Sequence, residues 1–168
     1  MIIGTLLFVS LAMTDGISLN IRCGERPGDI YLSLQNIQDA DTTVLLGIAL
    51  ANGRWYVPRE LVVELKRRGS GEFEDLAYRT PSALAGRLDH WIAPLPVGAT
   101  FTLRLRANEF VSTTSTNTSG PPEELRVRLT GRAIAGDLSN DMGGLKTWRL
   151  WTGQALSNTL RLVDCVPQ

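Results

Sequence analysis

The chain has 168 residues, 43% hydrophobic and 20% charged; that suits one globular domain burying roughly 70% of its unfolded surface, and excludes disordered and collagen-like classes. Seventeen basic residues balance seventeen acidic ones, so the broad positive field of a nucleic-acid binder is missing and DNA or RNA is not an expected partner. Fifteen of those bases are arginine, with Lys66 and Lys146 the two lysines, a bias that fits either genome composition or a surface of forked hydrogen-bond donors.

MIIGTLLFVSLAM carries no charge, and the first ionised side chain is Asp15. The run is shorter than the ~20 residues a membrane-crossing helix needs. It reads as the apolar core of a secretory signal over residues 1–16, with small residues at Ser10 and Ala12 but no basic n-region. The same run also suits a buried first strand. The expectation is a secreted or periplasmic protein with no transmembrane anchor and a single domain over residues 17–168.

Two cysteines occur, Cys23 and Cys165. In an exported chain an even count suggests a bridge, here one fastening the two ends of the domain; in a cytosolic chain they would be two buried thiols. Asn20-Ile21-Arg22-Cys23 is too bulky and charged for a bacterial lipobox.

Period-two alternation then runs through the chain, the signature of half-buried strands. DIYLSLQN puts Ile30, Leu32 and Leu34 on one face, and TVLLGIAL, residues 43 to 50, is apolar enough for a central strand covered on both sides. Asn52-Gly53 is a strong hairpin signal, because both residues tolerate positive φ, and would lead into a strand near Trp55. ELVVELKR alternates Leu61, Val63 and Leu65, and Gly69-Ser70-Gly71 follows as a turn. A short helix is expected over Pro81 to Leu88, capped by Thr80. His90 and Trp91 would end a strand, Leu95-Pro96-Val97-Gly98 would turn, and ATFTLRLRA would send Phe101, Leu103 and Leu105 inward and Arg104 and Arg106 outward. STTSTNTSGPPEE, residues 112 to 124, reads as an exposed loop. ELRVRLTGR alternates Leu125, Val127 and Leu129; LKTWRLWTG from Leu145 and NTLRLV with Leu160 and Leu162 are the last strand candidates.

Seven to nine short antiparallel strands with turns between them point to an all-β sandwich or barrel. LSLQNIQDADTTVLL, followed by APLPVGATFTLRLR, resembles immunoglobulin-like sandwich modules of secreted bacterial proteins. There an early strand ends in Asn and a polar turn, and a Leu-Pro-x-Gly turn feeds an alternating strand. A similar layout occurs in β-rich segments that precede secreted metalloprotease domains. The resemblance covers about residues 28 to 165 and implies an immunoglobulin-like β-sandwich, not an activity. The antibody pattern of two core cysteines flanking a tryptophan is missing.

No motif for catalysis stands out. HExxH, GxSxG, GxxxxGK and GxGxxG do not occur, and the sole histidine, His90 beside Asp89, reads as a strand-end or surface residue. Asp29, Asp39 and Asp41 fit solvated turns better than a calcium loop. Glu60, Glu64, Glu72, Glu74 and Asp75 offer carboxylates for a hydrolase, but no feature sets a pair apart. No cofactor and no metal are expected. Surface recognition is left: Arg149 lies between Trp148 and Trp151, and one of these tryptophans exposed beside arginine could stack on a sugar or anchor a protein; core packing is the favoured account of each, because aromatics are enriched in strands. Arg104, Arg106, Arg126, Arg128 and Arg161 could form a ladder on one sheet face, as a binding surface or as solvated ion pairs. The leading expectation is a non-catalytic exported module that binds a protein or glycan surface; the rivals are a carboxylate-dependent hydrolase and an inhibitor of secreted proteases acting through the 112–124 loop.

Overall fold

The computed structural model describes residues 16–50, 56–79, 86–112, 120–132 and 149–165. They form β1 (Ile17–Cys23), β2 (Asp29–Asn36), β3 (Thr42–Leu50), β4 (Tyr56–Val57), β5 (Leu61–Arg67), β6 (Phe73–Tyr78), β7 (Leu88–Leu95), β8 (Thr100–Arg106), β9 (Phe110–Ser112), β10 (Pro122–Thr130), β11 (Gln154–Leu156) and β12 (Leu160–Arg161). Eight of these strands have six residues or more, and the other four only two or three. All strand pairings are antiparallel. The chain is therefore nearly all β, and the only helical turns among the described residues are the 3-10 segments Ala107–Glu109 and Leu162–Cys165.

Three sheets result: β1-β2-β8, then β11-β10-β5-β6-β9 with β12 also on β10, and β4-β3-β7. Alternation brings one apolar face of each sheet into a common core. Ile17, Leu19, Ile21, Ile30, Leu32, Leu34, Leu103 and Leu105 come from the first sheet, Leu61, Val63, Leu125, Val127 and Leu129 from the second, and Val44, Leu46, Ala93 and Leu95 from the third. Burying each of these valine, leucine and isoleucine side chains contributes roughly 1.5–3 kcal/mol against leaving it in water.

Three polar devices connect the sheets. Asn36, fully buried, donates from Nδ2 to the carbonyls of Leu95 (3.0 Å) and Ala40 (2.9 Å), while its Oδ1 accepts from the Gln38 N–H (3.0 Å). Its backbone pairs with Gly98 and Ala99, and Asp41 accepts from the Val97 N–H at 2.9 Å. The Asn-ended strand and the Leu-Pro-Val-Gly turn thus form one corner, with Gly98 at the positive φ of 73° that such a turn requires. Asn158 clamps the edge of β1: its side-chain amide accepts from the Ile21 N–H (2.7 Å) and donates to the Ile21 carbonyl (3.0 Å). Gly47 interrupts the β3–β7 register at φ 152°, and a Cβ there would collide with the Val57 carbonyl, so only glycine lets β3 pass this corner. Cys23 and Cys165 are bonded, with Cα atoms 5.1 Å apart, joining the end of β1 to the last described residue.

Several expectations change. Leu88, expected to close a helix, opens β7, and residues 80–85 lie outside the described residues. His90 and Trp91 are interior to β7 rather than at its end, because the strand runs through Pro94 to Leu95; a proline is tolerated there since β7 is an edge. Ser112 belongs to β9 and Pro122–Glu124 to β10, so the exposed loop shrinks from both sides, and residues 113–119 lie outside the described residues. The strand expected over NTLRLV stops at Arg161, and a 3-10 turn carries Cys165 back to Cys23. Residues 1–15, Asn52-Gly53, Trp55 and 145–148 also lie outside the described residues.

Candidate functional site

The expected patch of Trp148, Arg149 and Trp151 does not form around Trp151, which is 3% exposed and belongs to the core. The reason is backbone docking. Residues 149–151 lie along β3, where Thr43 N–H donates to the Arg149 carbonyl (3.0 Å) and Trp151 N–H to the Thr43 carbonyl (2.8 Å). Trp151 then wedges inward against Gly131, while Arg149 stays exposed. Trp148 lies outside the described residues.

The arginine ladder divides between sheets. Arg126 and Arg128 on β10 converge on Glu64 of β5, whose side chain is only 7% exposed; Arg128 reaches Glu64 Oε1 at 2.8 Å and Arg126 bonds Oε2. Burial alone would raise the Glu64 pKa, but the hydrogen bonds and charges of both arginines outweigh it and hold the carboxyl below its ordinary value. The Arg126 guanidinium lies 3.9 Å from the centroid of the Phe73 ring. Arg128 also meets Asp75 (3.3 Å), Arg67 meets Glu74 (2.7 Å) and Arg132 meets Glu60 (2.7 Å). Four of the five carboxylates considered for hydrolysis are therefore neutralised by arginine on the second sheet. Arg161 pairs with the backbone of β10 at Glu124. Arg104 and Arg106 stand on β8, in the first sheet.

A cleft of about 710 Å³ opens where the edges of the sheets meet, within the size range of ligand sites. Among the described residues β8 pairs only with β2, and β7 pairs only with β3, so the two strands joined by the 96–99 turn face one another across the opening. Phe101, Leu103 and Leu105 of β8 form one wall, and Trp91 through Pro94 of β7 the other. Tyr56 and Trp91 pack with ring centroids 4.8 Å apart, and Tyr56 is 44% exposed. Tyr78 closes the floor, edge-on to Phe110 at 5.5 Å. Arg104, Arg106 and Glu109 supply the charge at the rim. Burial, and then the Glu109 carboxylate, push the Tyr78 hydroxyl upward against a smaller opposing effect of Arg106; the phenol is neutral at physiological pH.

The two strand edges differ. On β8 the register is set by Ala107 N–H to Gly28 carbonyl and Asn36 N–H to Ala99 carbonyl. In an antiparallel ladder the backbone groups then alternate, so Phe101, Leu103 and Leu105 bond β2 and Thr100, Thr102, Arg104 and Arg106 aim theirs at the cleft side. On β7, Thr43 turns its backbone away from Pro94 toward residues 149 and 151. The cleft-side positions opposite are Pro94, which has no N–H to offer, and by the same alternation Ile92, which keeps one.

Sequence reasoning missed this cleft because it is made by an edge that is unpaired among the described residues, a property of pairing rather than of residue type. One signal was available: proline inside HWIAPLP marks β7 as an edge strand. Among the described residues no group of three or more His, Cys, Asp or Glu could hold a metal ion, and no helix is long and apolar enough to cross a membrane. No protein-family model, curated protein or solved structure matches the chain.

Proposed function

We propose that the chain is a non-catalytic binding module, an exported immunoglobulin-like β-sandwich whose cleft takes an extended segment of another protein. The observation that carries this reading is the edge of β8: four residues with cleft-side backbone groups run beside an aromatic-lined opening. A segment laid along β8 would continue the first sheet, with backbone hydrogen bonds giving affinity and alternate side chains entering the cleft. Two further features support the module reading. Four of the five carboxylates considered for hydrolysis are held by arginines outside the cleft, and the Cys23–Cys165 pair favours an oxidising, secreted or periplasmic setting with residues 1–16 as a signal peptide.

Probing a peptide array and a glycan array with the wild-type protein and with Trp91→Ala tests the proposal. The expected outcome is capture of extended peptides, weakened at least about tenfold by the substitution, as for loss of a buried aromatic anchor. Capture of glycans alone, through stacking on Tyr56 and Trp91, or peptide capture indifferent to Trp91→Ala, would contradict it.

A further inference from the structure

Resting on the reading of the cleft as a site for extended polypeptide, we infer that the segment it takes is acidic, with carboxylates at every second position and apolar side chains between them. The chain has zero net charge, but the outward face of the first sheet does not. By strand alternation that face carries Arg22 on β1, Arg104 and Arg106 on β8, and one carboxylate, Asp29, on β2. Arg104 and Arg106 stand on β8 itself, the edge left unpaired among the described residues, with side chains 40% and 52% exposed.

Their existing partners are loosely held. Arg104 is 3.7 Å from Asp29 and Arg106 is 4.0 Å from Glu109, both longer than the ~2.7–2.9 Å of a charge-assisted hydrogen bond. Each guanidinium has five donors, so both keep capacity for a second carboxylate. The spacing matches as well: the two arginines are two residues apart on one face, and a strand added beside β8 repeats with the same period. Carboxylates at positions i and i+2 of the added segment would land next to Arg104 and Arg106. Residues i+1 and i+3 would then point inward, toward Phe101, Tyr78 and Trp91. The edge of β7 competes less, because Pro94 removes one of its donors.

The test uses labelled peptides as long as β8, one alternating valine with glutamate and one alternating valine with lysine, titrated against the whole protein by fluorescence anisotropy. The glutamate peptide is expected to bind about tenfold more tightly, the sum of two exposed ion pairs. The preference should vanish in the neutral Arg104→Gln/Arg106→Gln variant and reverse in Arg104→Glu/Arg106→Glu. N-methylating the glutamate peptide at alternate residues, in each of the two phases, should abolish binding in the phase that faces β8. Equal binding of the two peptides, or a preference that survives in the glutamine variant, overturns the inference while leaving the cleft reading intact. If neither peptide binds but the array yields other extended peptides sensitive to Trp91→Ala, the acidic assignment alone falls; if no peptide of any composition binds, the cleft reading falls with it.

Discussion

Glu64 is the most constrained charged side chain in the second sheet, with Arg126 and Arg128 bonded to its two oxygens and Phe73 beneath one guanidinium. A carboxylate so placed is worth more ionised than protonated. Its folded-state pKa lies below the ordinary 4.5 of the unfolded chain, so its contribution is fully present above about pH 4.5 and is lost as pH falls through the folded value. Glu64→Ala should cost about 1–3 kcal/mol at pH 7, since it leaves two half-exposed guanidiniums without their shared partner. Urea denaturation of both proteins from pH 7 down to pH 3 should show the difference shrinking once the pH is below about 4.5. A difference independent of pH would mean that the carboxylate is not held by charge. Asn36 carries a comparable structural weight without charge, because its side chain is saturated by Leu95, Ala40 and Gln38.

At the level of strands, period-two alternation made most of the fold legible. DIYLSLQN is β2 from its first residue to its last, and β5, β8 and β10 follow the apolar phases of ELVVELKR, ATFTLRLRA and ELRVRLTGR. TVLLGIAL is the central strand of its sheet, and Thr42 to Gly47 are buried. β1 escaped although Ile17, Leu19 and Ile21 alternate as plainly as the apolar residues of β2; the other elements that escaped are those whose state depends on a neighbour. β6 has partly exposed residues on both faces and is held by pairing with β5 and β9; β9 and β11 are three residues long, too short for periodicity to register. The candidate site was less legible than the fold. Alternation along KTWRLW places Trp151 on the face opposite Leu150 and does not say which face is buried, whereas backbone docking on β3 decides its direction. Trp91 entered the sequence reading only as a strand end, and its role follows from a cleft made by residues distant in sequence, Tyr56, Tyr78 and Phe101 among them.

Across the whole molecule one side is fastened and the other is open. On the fastened side Asn158 ties β1 to the segment between β11 and β12, and the Cys23–Cys165 bond closes a separation of 142 residues. Closing a loop of that size removes enough unfolded-chain freedom to stabilise by up to about 5 kcal/mol. Reduction, or a Cys23→Ser/Cys165→Ser variant, should therefore lower the urea midpoint by an amount equivalent to about 2–5 kcal/mol; an unchanged midpoint would show that the terminal strands hold without it. On the open side β7 and β8 stand on either side of the cleft, and β8 is the edge proposed to accept a partner. Amide hydrogen exchange measured by NMR, with and without the valine–glutamate peptide, tests this most directly. Slowed exchange is expected at Thr102 and Arg104, whose N–H groups face the cleft side, while Leu103 and Leu105, already bonded to β2, are unchanged. Protection confined to residues outside β8, or equal protection of both sets, would contradict it.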